Sequence, residues 1–122
     1  MEISERKVGD VCIVQITGRL EWGTSDNLAE RLHHLIDGGE RRLVIDGEKL
    51  DYITSTGLRV LLVAAKRLKA VEGRIVLSSL KPHIIEVFEI AGFTSIFPIY
   101  GNAEQAMQQT SEPLNSSRYK SA

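Results

Sequence analysis

The sequence predicts an α/β domain with a mostly parallel sheet of about four to five strands, about four helices and an antiparallel hairpin at the start. Three observations carry this. Short β-branched runs alternate with longer amphipathic stripes, an order that calls for crossover connections and a parallel sheet. The first two β-like segments are separated only by Val8-Gly9-Asp10, too short for a crossover, so they pair antiparallel. The chain has 122 residues, 43% of them hydrophobic and 25% charged, which suits one folded core and excludes a wholly disordered or collagen-like chain.

Glu2 to Arg6 reads as a weak first strand. Val11-Cys12-Ile13-Val14-Gln15-Ile16 follows, bounded by Gly9-Asp10 and Gly18, as a largely buried strand. Leu28, Leu32, Leu35 and Ile36 then fall on one helical face, with Thr24, Ser25 and Asp26 as capping oxygens and Gly38-Gly39 as the stop. Arg42 to Asp46 is the next strand. After a loop, Leu58, Leu61, Leu62, Ala65 and Leu68 mark a second helix that ends near Gly73. Ile75-Val76-Leu77 is another buried strand. Lys81-Pro82 opens a third helix, since proline suits the first helical turn, and Ile84, Ile85, Phe88 and Ala91 supply its apolar face. Ile96 to Tyr100 reads as a final strand, with Pro98 implying an edge position. Asn102 and Gln105 form a capping-box pattern for a last helix, Ala103 to Gln109. The domain is assigned to residues 1–110, and the Ser/Pro/Asn/Lys-rich, aperiodic segment 111–122 reads as a disordered C-terminal tail.

Function classes narrow by composition. The formal net charge is −1 with both signs dispersed, so direct binding to nucleic acid or an anionic membrane is not expected. The basic cluster Lys66, Arg67 and Lys69 reads as a solvated helix face. Cys12 is the only cysteine, which excludes an internal disulfide and a multi-cysteine zinc site. No signal peptide or membrane-spanning stretch is seen, so a cytoplasmic protein is expected. His33 and His34 are adjacent on a helix and point about 100° apart, unlike an i, i+4 ligand pair, and His83 stands beside a proline. Nucleophile-elbow, P-loop and dinucleotide-binding patterns are absent. No enzyme activity, metal or cofactor is expected.

The informative segment runs from Asp46 to Leu58, where Thr54, Ser55, Thr56 and Gly57 stand directly before a strongly apolar helix. The carboxyl ends of strands and the helix N-termini that follow them form the usual functional rim of open α/β sheets. A helix N-terminus also offers unpaired N–H groups and partial positive charge to an anion. Periodicity alone favours an N-cap by one of the hydroxyls over a regulated hydroxyl on a docking face. Arg59 is likewise either a docking residue or a solvated cation.

This segment resembles the signature of STAS domains, in which a strand ending in aspartate leads through a loop and an aromatic-aliphatic pair to Asp-Ser-Ser-Gly or Asp-Ser-Thr-Gly at a helix start. Asp46, Tyr52-Ile53, Ser55-Thr56-Gly57 and Leu58 match without an insertion. Ile16-Thr17-Gly18-Arg19-Leu20 resembles the family's Gly-Arg-Leu turn. Ser79-Leu80-Lys81-Pro82 and Phe88 to Phe93 resemble its later strand-to-helix passage. The anti-sigma-factor-antagonist type is the nearest in pattern. The resemblance implies a STAS-like fold and phosphorylation of Ser55 by an anti-sigma factor serine/threonine kinase, reversed by a PP2C-type phosphatase. It implies partner contacts at Thr54, Thr56, Gly57 and Arg59. Thr54 stands where the family carries aspartate. A non-phosphorylated STAS scaffold in a sensory or lipid-transport complex, and a nucleotide-binding STAS domain, are the alternatives.

Overall fold

The β-branched runs and amphipathic stripes build a six-stranded sheet and four helices in the computed structural model, which describes residues 1–111. The strands are β1 (Glu2–Val8), β2 (Val11–Leu20), β3 (Arg42–Asp46), β4 (Leu50–Ile53), β5 (Arg74–Ser78) and β6 (Ile99–Tyr100). The helices are α1 (Trp22–Asp37), α2 (Ser55–Ala70), α3 (Pro82–Ile90) and α4 (Ala103–Ser111). The order across the sheet is β1-β2-β3-β5-β6, antiparallel only between β1 and β2. The helix α4 takes in Ser111; the rest of the expected tail lies outside the described residues.

Alternation along the strands divides the core. Cys12, Val14, Ile16, Leu43, Ile45, Ile75 and Leu77 pack beneath α1, α2 and α3. Val11, Ile13, Val44 and Val76 turn to the other face and meet Ala106 and Met107 of α4. Strands buried on both faces read as nearly continuous apolar runs, which is why β3 and β5 are plain in the sequence. Cys12 is 3% exposed, and burial pushes its thiol up to about 11. It is a small hydrophobe of the core.

The structure departs from expectation in three places, each for a local reason. First, β2 does not stop before Gly18 but continues to Leu20 through a register shift at Gly18/Arg19, where Gly18 adopts φ +102°. A left-handed φ of this kind favours glycine, so a residue that looks like a terminator is a bulge inside the strand. The extra length gives β2 a second partner: β4, within the expected loop, pairs parallel to Gly18–Leu20 beyond the end of β3. Second, the final strand is confined to Ile99–Tyr100. The Pro98 carbonyl accepts from Leu77 N–H at 2.9 Å, but proline has no N–H to return, so the ladder begins only after it.

Third, α1 starts earlier than its hydroxyl residues suggest. Glu21 is the N-cap position, and Thr24 and Ser25 lie inside the first turn. The Thr24 hydroxyl accepts from Glu21 N–H at 3.0 Å and donates to the Arg19 carbonyl at 2.7 Å, while Ser25 Oγ donates to the Glu21 carbonyl at 2.7 Å. Such residues can bond backward to the preceding backbone as readily as they cap forward. At α4 the capping pattern is nearly as expected: Asn102 Oδ1 accepts from Gln105 N–H at 2.8 Å, but the Gln105 side chain reaches Gly101 N–H at 3.3 Å.

Candidate functional site

The end of β2 and the end of β4 carry two helices side by side. Leu20 pairs with Ile53, and Thr54 N–H donates to the Leu20 carbonyl at 3.0 Å. One residue further along each chain lie the N-caps, Glu21 of α1 and Thr54 of α2. The first helical residues, Trp22 and Ser55, therefore stand at matching places on adjacent helices. The two helices touch through Ser25 Oγ and Thr56 Oγ1, 3.4 Å apart.

Thr54 occupies the N-cap position with extended backbone (φ −109°, ψ 177°), yet its side chain caps nothing. Its hydroxyl lies 2.8 Å from that of Thr56. The two threonines thus satisfy one another, and Thr56 passes the contact on to Ser25. Ser55 between them is exposed, and its hydroxyl takes no part in this chain. The first intrahelical bond is Leu58 N–H to the Thr54 carbonyl at 3.0 Å, which leaves the N–H groups of the first turn without an intrahelical acceptor. No acidic residue occupies the first turn of α1 or α2. A hydroxyl without a partner among the described residues, exposed and seated on the positive end of a 16-residue helix, is well placed to carry an anionic group.

The remaining expected site residues divide by exposure. Arg59 is exposed and makes no ion pair among the described residues. Gly57 is buried: a Cβ there would meet Leu20 Cγ at 2.8 Å and Ile53 Cγ1 at 3.0 Å. Its visible role is to let α2 close onto the ends of β2 and β4, and a larger residue would lift the helix start that carries Ser55. Ser25 belongs to the site although the sequence suggested only a cap; its i, i+3 spacing ahead of Leu28 was the available signal.

The surroundings are electrostatically quiet. Arg19 lies over the Tyr52 ring, 4.1 Å from its centroid, and pairs with Glu21 at 2.9 Å. Lys81 pairs with Asp51, and this bond holds the Asp51 carboxyl below the usual carboxylate range. His83 hydrogen-bonds the Asp51 backbone carbonyl at 2.7 Å. The other two histidines sit far along α1, where half-buried His33 contacts Arg67 at 2.7 Å and His34 is exposed. The basic cluster on α2 is split, because Arg67 turns to Asp37 at 2.6 Å. Among the described residues no group of three His, Cys, Asp or Glu side chains could hold a metal. Nor is any helix among them long and apolar enough to cross a membrane.

Residues 2–106 match the STAS domain family model. The chain belongs to the STAS family. The match takes in every strand and all of α1, α2 and α3. A relative in Bordetella bronchiseptica, named as a candidate anti-sigma factor antagonist, BtrV, is 44% identical over 106 residues, covering 87% of this chain and 91% of that protein. The anti-sigma F factor antagonist of Paenibacillus polymyxa is 26% identical over 100 residues, covering 81% of this chain and 86% of its own. The fold also superposes on the crystal structure of a Thermotoga maritima protein described as a candidate anti-sigma factor antagonist (TM-score 0.86, 18% identity, 90% of this chain and 95% of that one). It likewise matches the phosphorylated form of the Bacillus protein SpoIIAA (TM-score 0.72, 20% identity, 88% and 98% covered). At these identities the two structures speak to the fold.

Proposed function

We propose that this STAS domain is an anti-sigma-factor antagonist, a non-enzymatic interaction switch set by phosphorylation of Ser55. The observation that carries the proposal is the state of the three adjacent hydroxyls. Thr54 and Thr56 are held by one another, whereas Ser55, at the start of α2, is exposed and has no hydrogen-bond partner among the described residues. The names of the relatives in Bordetella bronchiseptica and Paenibacillus polymyxa support the same class of function.

In this account the unmodified domain binds an anti-sigma factor that is also a serine/threonine kinase, and thereby releases a sigma factor. The kinase transfers the γ-phosphoryl group of ATP to Ser55 Oγ; the bond to the β-phosphate oxygen breaks, ADP leaves and the hydroxyl proton goes to a base of the kinase. The new group adds roughly −1.5 to −2 charge. First-turn N–H groups can receive it, so α2 need not unfold. What changes is the docking face, where a dianion that lacks a matching cation on the partner opposes binding. A PP2C-type phosphatase hydrolyses the ester and restores the binding form. Thr54, Thr56 and Arg59 border the face; Gly57 supports it from beneath.

Titration calorimetry against the cognate kinase tests this switch. The unphosphorylated domain is expected to bind and the kinase-treated domain to show no measurable binding over the same range. Equal affinity for the two forms would contradict the proposal, and stable association with transporter subunits instead would favour the scaffold alternative.

A further inference from the structure

Trp22 is 82% exposed, although it is the chain's only tryptophan and a residue whose large apolar surface is ordinarily highly buried. Its position explains the exposure. Ser25, Leu28, Leu32 and Ile36 form the buried stripe of α1, and Trp22 continues that stripe one turn further back. There the sheet and α2 have ended, so the indole extends past the last layer that could cover it. The end it extends past is the one that presents Ser55, through the matched starts of α1 and α2 and the Ser25–Thr56 contact.

We propose that Trp22 is the anchor by which the kinase docks on the Ser55 face, seated in an apolar cleft of the kinase. This rests on the switch proposed above and names what holds the partner there. The apolar part follows from the indole: tryptophan is the residue type most enriched at interface positions that dominate binding, and desolvating it supplies affinity without new charge. The occupant follows from position: Trp22 and Ser55 open adjacent helices joined at Ser25 and Thr56, so a kinase that reaches Ser55 passes over the indole. Exposed Arg59 on α2 and exposed Asp26, one turn beyond Trp22 on α1, are both without an ion pair among the described residues and offset one another. Nearby charges on Arg19 and Lys81 are already matched by Glu21 and Asp51. The unmodified face thus carries balanced charge, and a phosphate on Ser55 makes it net negative beside the anchor. A partner that reads the face in this way holds the unphosphorylated form and releases the product.

The single tryptophan makes the test direct. The domain is labelled with 5-fluorotryptophan, so that the kinase's own tryptophans are silent, and its ¹⁹F resonance is followed as the purified kinase that phosphorylates it is added. A shifted, broadened resonance that saturates with binding is expected. In parallel, Trp22→Ala is expected to weaken binding at least ~30-fold and to raise KM for Ser55 phosphorylation with little change in kcat. Trp22→Phe should recover most of that loss. Ile90→Ala, which removes the equally exposed side chain at the far end of α3, serves as the control and should bind as the parent does. Circular dichroism verifies the fold of each variant, since substitutions at such exposed positions rarely change stability by more than ~0.5 kcal/mol. An unmoved resonance in a saturated complex, or a Trp22→Ala variant that binds like the parent, overturns the anchor and leaves the Ser55 switch standing. Failure of the parent domain both to bind and to be phosphorylated overturns the switch and the anchor together.

Discussion

Phe88→Ala is expected to remove about 3–5 kcal/mol of stability, a large share of the ~5–15 kcal/mol typical of a domain. Phe88 is 1% exposed and is the hub of an aromatic cluster, edge-on to Phe93 (centroids 6.5 Å apart) and to Phe97 (6.0 Å, planes at 88°). Phe93 and Phe97 also touch, at 6.0 Å. The cluster fastens α3 and the turn that follows it to the main core. Truncation removes buried apolar area and also two edge-to-face contacts, and the backbone around a ring in the middle of a cluster cannot collapse fully into the gap. Urea unfolding checks this: the midpoint should fall while the slope stays unchanged, as expected when packing is lost without a change in the denatured chain. A loss under about 1 kcal/mol would mean that α3 contributes little to the cooperative unit.

Ser55→Glu is expected to weaken binding of the cognate kinase by roughly 100-fold, whereas Ser55→Ala should bind as tightly as the unmodified domain and stay bound in the presence of ATP. Ser55 lies on the surface, so neither change disturbs packing. Glutamate introduces one full negative charge at the helix start, one turn before Arg59. It carries less charge than a phosphate and fewer acceptor oxygens, so the loss should be smaller than that caused by phosphorylation itself. Surface charge changes at sites outside an interface seldom exceed a few tenths of a kcal/mol, which makes an effect of this size diagnostic of a docking face. Native electrophoresis or calorimetry of both variants with the kinase decides it.

How much of this was legible beforehand depends on the range of the interaction. The helical stripe Leu28-Leu32-Ile36 and the buried runs Leu43-Val44-Ile45 and Ile75-Val76-Leu77 announce themselves, because burial on one face or on two imposes a period within a single element. β4 is obscured since Leu50-Asp51-Tyr52-Ile53 has only four residues, two of them exposed, and its partner is the far side of a bulge that looks like a strand end. The location of Ser55 at a helix start was clear from the Thr-Ser-Thr-Gly run. That its neighbours bind each other and leave it free depends on hydroxyl geometry, which no spacing encodes. The exposure of Trp22 is hidden for a related reason. In a sequence, an apolar residue in register with a buried stripe looks like core, and only the end of the sheet shows that nothing covers it.

The central claim is that Ser55 is the residue on which the switch turns, and mapping the modified position tests it most directly. The domain is incubated with ATP and its cognate kinase, its intact mass is measured, and the phosphate is located by fragmentation. One phosphate per chain, on Ser55, and none on the Ser55→Ala variant, is the result this account requires. A phosphate on Thr54 or Thr56, or an unchanged mass with a kinase shown to be active, would contradict it.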